Sequence, residues 1–343
     1  MKLIKMPPWI VKVCISISLI VISIGFLAPW KAAIVYLKPL PDTVLAEVQD
    51  AVNSDLDGII LYIDQAGKPP MAMSAGINNR EQGDKAQPDA LFKIASIRKL
   101  YIAVAITKLV KAQRISLDDS LAHHFPELVG RIENATTITL QHLVSHRSGI
   151  PNYTDNDAFW RDGAKIRLAY ALDLPAKFKP DEAYDYSNTN YLLLSKLMDN
   201  LLGYSHQQFI QQEILVPLGL TDTYSDLAQA PVDRLMSGYH IGYEQDLKLE
   251  DYGSMIASAK DVAAFMRGLN TGVVFKPGEQ AIYSAIYVYD HNGLLPGYQS
   301  FAKYYPEIDA VVVQFVNTTN FDDFGLESEV IFDRIGKILL SRQ

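Results

Sequence analysis

Ser96 and Lys99 stand three residues apart in the tetrad Ser96-Ile97-Arg98-Lys99, inside an apolar-periodic stretch that predicts a long helix from Leu91 to about Gln113. Side chains three apart share one face of a helix, so the hydroxyl and the amine can touch. The chemistry this permits is nucleophilic: an uncharged amine accepts the serine proton as the oxygen attacks a carbonyl. A helix start adds free N–H groups and a partial positive charge, which can face a developing oxyanion and, with burial, disfavour a protonated lysine. Holding Lys99 neutral at pH 7 takes a shift of roughly 3 units, or about 4 kcal/mol. Ser-x-x-Lys alone is weak evidence, since it arises by chance about once in a chain of this length. A second copy, Ser300 to Lys303, falls in a predicted strand, where residues three apart point to opposite faces.

Two further groups of residues could complete such a site. Tyr186-Ser187-Asn188 sits in a polar loop ahead of an apolar helix beginning near Leu192. There the phenol can share a proton with the serine and the Asn188 amide can hydrogen-bond substrate. Taken alone, Ser187 or Asn188 reads as a helix cap. His291-Asn292-Gly293, followed by Leu294, lies between two predicted strands; the histidine could orient a substrate oxygen, and the glycine lets substrate approach the backbone. Taken alone, His291 reads as a turn histidine. His240-Ile241-Gly242 lacks flanking strands and reads as structural. His142 and His146 are four apart on a predicted helix, a zinc-compatible spacing, but no Glu follows His142 and no third ligand stands out, so no metal or other cofactor is expected. The adjacent His123 and His124 diverge on any helix or strand and read as surface.

The elements around these residues predict an α+β architecture. Val44, Leu45, Val48, Ala51 and Val52 repeat at helical spacing, and Gly58 to Ile63 and Met71 to Ile77 read as two strands joined by a Gly67-Lys68-Pro69-Pro70 turn. A mostly helical stretch then runs to about Asn270. Ile282 to Tyr289, Tyr298 to Tyr305 and Val311 to Val316 read as three strands, and Leu326 to Leu340 as a closing helix. The expected fold is a five-stranded antiparallel sheet flanked by N- and C-terminal helices, with an inserted, mainly helical domain. The domain reading is an anchor and connector over 1–40 and a catalytic unit over 41–343. Within that unit the sheet part is 41–95 and 271–343, and the helical part is 96–270. A site is expected in the cleft between them.

With 343 residues, 49% hydrophobic and 20% charged, the chain can bury a full core. A net charge of −8 leaves no basic excess for nucleic acid. The single cysteine, Cys14, excludes an intrachain disulfide and lies in an apolar run. That run, Val13 to Trp30, exceeds the roughly 7 to 15 residues of a signal-peptide core and suits a membrane-spanning helix. Ala28 is followed by Pro29 and Trp30 rather than a small-x-small cleavage site, so an uncleaved anchor is expected over a removed signal. Lys2, Lys5 and Lys12 precede the run, which predicts a cytoplasmic N-terminus. The expectation is a single-pass protein of the inner (cytoplasmic) membrane with its catalytic domain periplasmic.

Taken in order, Phe92 to Lys99, Leu143 to Pro151, Tyr186-Ser187-Asn188, and His291-Asn292-Gly293 with Pro296-Gly297-Tyr298 make the chain resemble the serine β-lactamase-like family from about Val44 to Leu340. That family includes class C β-lactamases, D-alanyl-D-alanine carboxypeptidases and related esterases, and has a β-lactamase/transpeptidase-like fold. The resemblance implies an acyl-enzyme on Ser96, proton transfer by Lys99 and Tyr186, and substrate contacts from Asn188, His291 and Gly293. It also implies an oxyanion hole from the N–H groups of Ser96 and Leu294. Peptidoglycan stem peptides and small esters are the expected substrates. Histidine in place of lysine at the third motif, with bulky Leu294 and Leu295 beside it, makes efficient β-lactam hydrolysis less expected. A catalytically idle domain that binds muropeptides or a membrane partner is the alternative, and Lys99 turned away from Ser96 would favour it.

Overall fold

The computed structural model describes residues 29–53, 56–161, 167–321 and 325–342, with isolated positions between 7 and 25. Most of the apolar run 13–30, Cys14 included, lies outside the described residues. Among the described residues no helix is long and apolar enough to cross a membrane.

Two helices, α1 (Trp30–Leu37) and α2 (Val44–Ala51), precede the sheet. Thr43 caps α2 by accepting from the Ala46 N–H at 3.0 Å. The sheet strands are β1 (Gly58–Gln65), β2 (Met71–Asn79), β3 (Asp84–Lys85), β4 (His291–Leu295), β5 (Tyr298–Tyr305) and β6 (Ala310–Val316), in the order β3-β2-β1-β6-β5-β4. All neighbours are antiparallel. The expected architecture therefore holds, with one correction in strand number: the two-residue ladder of β3 on β2 makes six strands. That ladder pairs Lys85 with Ile77 and Asp84 with Asn79 at a sheet edge, and no apolar alternation announces it.

Side chains alternate across the sheet as a period of two requires. In β1, Ile59, Leu61 and Ile63 face α2 and the C-terminal helix α7 (Leu326–Leu340), while Ile60 and Tyr62 face the helical side. In β6, Val312 and Val316 face the first layer and Val311, Val313 and Phe315 the second. Arg334 of α7 forms a buried pair with Glu47, at 2.6 Å and 2.9 Å, and also donates to the carbonyls of Lys38 and Pro39. One side chain thus ties the connector, α2 and α7 together.

On the other side lie four helices, α3 (Arg98–Lys111), α4 (Asn188–Leu202), α5 (Ala259–Thr271) and α6 (Glu279–Ile286); α5 packs on the sheet, and Tyr101 of α3 stacks on its Phe265. Every residue of α3 from Lys99 to Leu109 is buried, so α3 is a central helix without a solvent face. Two expectations need correcting here. The predicted helix from Leu91 begins instead as a strand, Leu91–Lys93, paired antiparallel with Ile256–Ser258. The predicted strand Ile282–Tyr289 is largely α6: Tyr283 and Ile286, three apart, are buried on one face, and Glu279 pairs with Lys108 at 3.1 Å. The intervening region also contains more short helices and loops than a continuous helical block, with a long irregular stretch around 241–255.

Candidate active site

The strand Leu91–Lys93 delivers the chain to a tight turn. Ala95 has φ +51, the left-handed conformation, which costs an alanine on the order of 1 kcal/mol or more. Its N–H donates to Ser254 Oγ at 2.9 Å, which fixes the bend. Ser96 follows in a 3₁₀ turn, Ala95–Ile97, that runs directly into α3. Residues i and i+3 eclipse in a 3₁₀ turn, and Lys99 Nζ lies 3.1 Å from Ser96 Oγ. The Tyr186 hydroxyl, from the loop before α4, donates to the same oxygen at 2.7 Å. Lys99 therefore turns toward Ser96, not away from it.

The remaining contacts define the protonation of this group. Lys99 is almost completely buried and donates to Asn188 Oδ1 at 2.7 Å; among the described residues no carboxylate pairs with it. Burial first, and then the Arg98 guanidinium, hold its amine well below the ordinary lysine range. Burial pushes the Tyr186 phenol well above its usual value, against the lowering effects of its bond to Ser96 and of Arg98. A neutral amine and an un-ionised phenol give a directional chain: Tyr186 O–H to Ser96 Oγ, and Ser96 O–H to the lone pair of Lys99.

β4 forms the opposite wall. Gly293 permits its approach, because a Cβ there would collide with Ser300 Oγ and the Ile94 carbonyl. Pairing with β5 runs Leu295 to Tyr298, Leu294 to Gln299 and Gly293 to Ser300 around the Pro296-Gly297 turn. Antiparallel alternation makes the Leu294 pair a non-hydrogen-bonded one, so its N–H projects from the free sheet edge. The Ser96 N–H, at the start of a helical turn, is similarly without a helical acceptor. A cavity of about 310 Å³ opens in front of Ser96, with Arg98, Lys99, Asn188, Leu294 and Leu295 in its lining.

The structure brings together Ser96, Lys99, Tyr186 and Asn188, with Leu294 on the facing wall and Gly293 behind it. Asn188 uses both ends of its amide, accepting from Lys99 and donating to Thr154 Oγ1 at 3.2 Å. His291 is close, its ring 6.3 Å from that of Tyr186, but both of its nitrogens have protein partners. Nδ1 lies 2.5 Å from Asn292 O and Nε2 lies 2.9 Å from the Tyr287 hydroxyl. Burial first, then Lys99, bring the His291 imidazole down to about 4, so it is neutral at pH 7.

His146 stands at the site in a place that its spacing from His142 does not foretell. The helix bearing His142 ends at Val144, and His146 takes φ +57, which separates the two rings and corrects the expected helical pair. His146 Nδ1 instead accepts from the Ser187 N–H at 3.2 Å, and its ring lies 4.5 Å from that of Tyr186. Apart from its spacing from His142, its signal in the sequence is its place in the Leu143–Pro151 stretch. Tyr287, which holds His291, fell inside the misassigned strand. In the second Ser-x-x-Lys copy, Ser300 is buried and donates to Ile94 O, whereas Lys303 lies over the Tyr305 ring.

Comparison with known proteins shows the family and the fold. A family model described as Beta-lactamase matches residues 46–333. The putative penicillin-binding protein PbpX of Bacillus subtilis (strain 168) is 25% identical over 285 residues, covering 76% of this chain and 71% of that protein. Protein flp of Staphylococcus aureus (strain MW2) is 28% identical over 186 residues, 53% of this chain but only 37% of that relative's length. D-amino acid amidase from Ochrobactrum anthropi SV3, solved with D-phenylalanine, has a TM-score of 0.74 at 18% identity, covering 88% of this chain and 98% of that one. A class C beta lactamase from Rhodobacter sphaeroides has a TM-score of 0.68 at 20% identity, covering 87% and 100%. At such identities the solved structures establish the fold.

Proposed function

This chain belongs to the Beta-lactamase family, and from that premise we propose that it is a serine hydrolase that cleaves an amide or ester through an acyl-enzyme on Ser96. The observation that carries the reading is the buried Lys99 amine 3.1 Å from Ser96 Oγ, with the Tyr186 phenol at 2.7 Å on the other side; burial holds that amine well below the ordinary lysine range. Lys99 takes the proton as Ser96 Oγ bonds to the substrate carbonyl carbon. The oxyanion is received by the N–H groups of Ser96 and Leu294, each typically worth about 2.7–4 kcal/mol in such a hole. When the tetrahedral intermediate collapses, the leaving amine or alkoxide takes a proton delivered through the Tyr186 hydroxyl from Lys99. Water, deprotonated by the same amine, releases the acid and restores Ser96.

The substrate class we favour is a small amide or peptide, D-Ala-D-Ala-type stem peptides included, with short esters as the second class. D-amino acid amidase shares the fold, which supports that direction without assigning it. Bulky Leu294 and Leu295 line the cavity, and neutral His291 adds no charge beside it, so we disfavour β-lactam turnover. We also place the enzyme on the outer side of the inner membrane, held by the apolar run 13–30 behind Lys2, Lys5 and Lys12.

Intact-mass analysis after exposure to a fluorophosphonate or a penicillin tests the chemistry. One adduct on the wild-type chain and none on Ser96→Ala is the expected result. An adduct that survives Ser96→Ala, or none on the wild type, defeats the assignment.

A further inference from the structure

Beyond Tyr252 the cleft continues into a second cavity of about 320 Å³, which shares Phe159, Trp160, Tyr252 and Phe321 with the first. The ionisable side chains in the linings of the two cavities differ. Among the described residues, the lining of the inner one includes Arg98 and Lys99 and no carboxylate, and that of the outer one includes Glu250 and Asp251 and neither lysine nor arginine. Among the described residues neither acid forms an ion pair: Asp251 accepts only from the Gly253 N–H at 2.7 Å, and the Glu250 carboxylate makes no hydrogen bond.

The walls of this outer cavity are aromatic and ordered against one another. His240 donates through Nδ1 to the Thr319 carbonyl at 2.8 Å, which fixes the ring. Tyr243 stacks on it at 5.3 Å with an interplanar angle of 17°, and Phe321 meets it at 4.7 Å. Trp160 closes the other side, 6.1 Å from Phe321, with its indole N–H held by the Thr154 carbonyl at 2.9 Å. Ring faces and edges beside unpaired carboxylates are the environment that attracts a cation and holds its hydrocarbon part. The same loop already binds one cation on its buried side. Lys93 Nζ donates to the carbonyls of Leu247 and Glu250 at 2.9 Å and 2.7 Å and lies over the Tyr252 ring at 5.4 Å.

We propose that the outer cavity is a subsite for a cationic group of the substrate. The group is a primary or quaternary ammonium carried on a chain long enough to pass Tyr252 while the scissile carbonyl lies at Ser96. The substrates it selects are amides, peptides or esters with a pendant ammonium. This deepens the acyl-enzyme reading and rests on it for the position of the carbonyl.

The test uses the full chain and two series of p-nitrophenyl esters matched in acyl length, one ending in trimethylammonium and the other in the isosteric tert-butyl group. Binding of the corresponding unreactive amides to Ser96→Ala is measured by calorimetry, so that recognition is read without turnover. At one chain length the cationic ligand should bind Ser96→Ala at least about ten-fold more tightly than its neutral partner and show a similarly higher kcat/KM on the wild type. That ratio should fall toward unity in Glu250→Gln and in Trp160→Leu, and in high salt. Equal affinity at every length, or a preference unchanged in both variants, overturns the subsite. A binding preference without any ester turnover would uphold the subsite and overturn the acyl-enzyme reading.

Discussion

The two cavities of the cleft share four aromatic walls and differ in almost everything else. In the inner one, Lys99 is buried with its amine held well below the ordinary lysine range, the Tyr186 phenol is pushed up, and each reactive atom has a hydrogen-bonded partner at a fixed distance. In the outer one Tyr243 is 62% exposed, Trp160 is 43% exposed, and two carboxylates face solvent. The contrast separates two tasks. A proton relay needs desolvation to bring an amine near its working range, and that lowers stability. Recognition of a flexible cationic group needs rings and charge on open ground, where they cost the fold little.

The largest expected effect that can break this contrast is on Ser96. Ser96→Ala should lower kcat/KM for every ester by roughly 10³-fold or more, measured by p-nitrophenolate release. A loss confined to cationic substrates would mean that the two regions are not divided as described. Lys99→Met comes next, with about 10²- to 10⁴-fold lost from kcat/KM. The same substitution should raise stability at pH 7. Lys99 has a folded pKa below its unfolded value of about 10.5, so between those two values the unfolded chain binds the extra proton and wild-type stability increases with pH. The advantage of Lys99→Met in urea unfolding should therefore shrink as pH approaches the unfolded lysine value. In wild type, the acid limb of kcat/KM belongs to Lys99, since His291, at about 4, is already neutral above pH 5.

Gly293→Ala should act on both catalysis and stability, because its Cβ meets Ser300 Oγ, the Ile94 carbonyl and Ala95 Cβ. Pushing β4 away from the Ser96 turn should cost about 1–3 kcal/mol in unfolding experiments. It should also displace the Leu294 N–H and reduce kcat more than it raises KM. A variant with unchanged kcat would remove β4 from the oxyanion site.

The inner region was largely legible in the sequence, and the outer one was not. Ser96 and Lys99 were paired correctly although the element was misjudged, because an i to i+3 contact survives whether the turn is 3₁₀ or α. Continuous apolar, β-branched runs in β1 and β6 reveal these strands, since each presents apolar side chains to both layers. The tyrosine-rich segment near 282–289 misled, because its composition favours a strand while burial of Tyr283 and Ile286 and the Lys108–Glu279 pair favour a helix. His146 reaches Tyr186 through a left-handed backbone turn, and no periodicity encodes that. The outer cavity gathers Trp160, His240, Tyr243, Glu250 and Phe321 from three distant segments of the chain. Read along the chain, His240 looked merely structural.

The smallest expected effect sharpens the comparison from the other side. Tyr243 stacks on one imidazole and is otherwise open to solvent, so Tyr243→Ala removes little buried area and leaves no buried polar group unpaired. Urea unfolding of this variant should shift by less than about 1 kcal/mol, with an unchanged m-value. A larger loss would show that the outer rings form a packed layer supporting the 241–255 stretch. The cavity they line would then be a consequence of folding, and the division between a strained reactive interior and a nearly cost-free recognition surface would fail at its outer half.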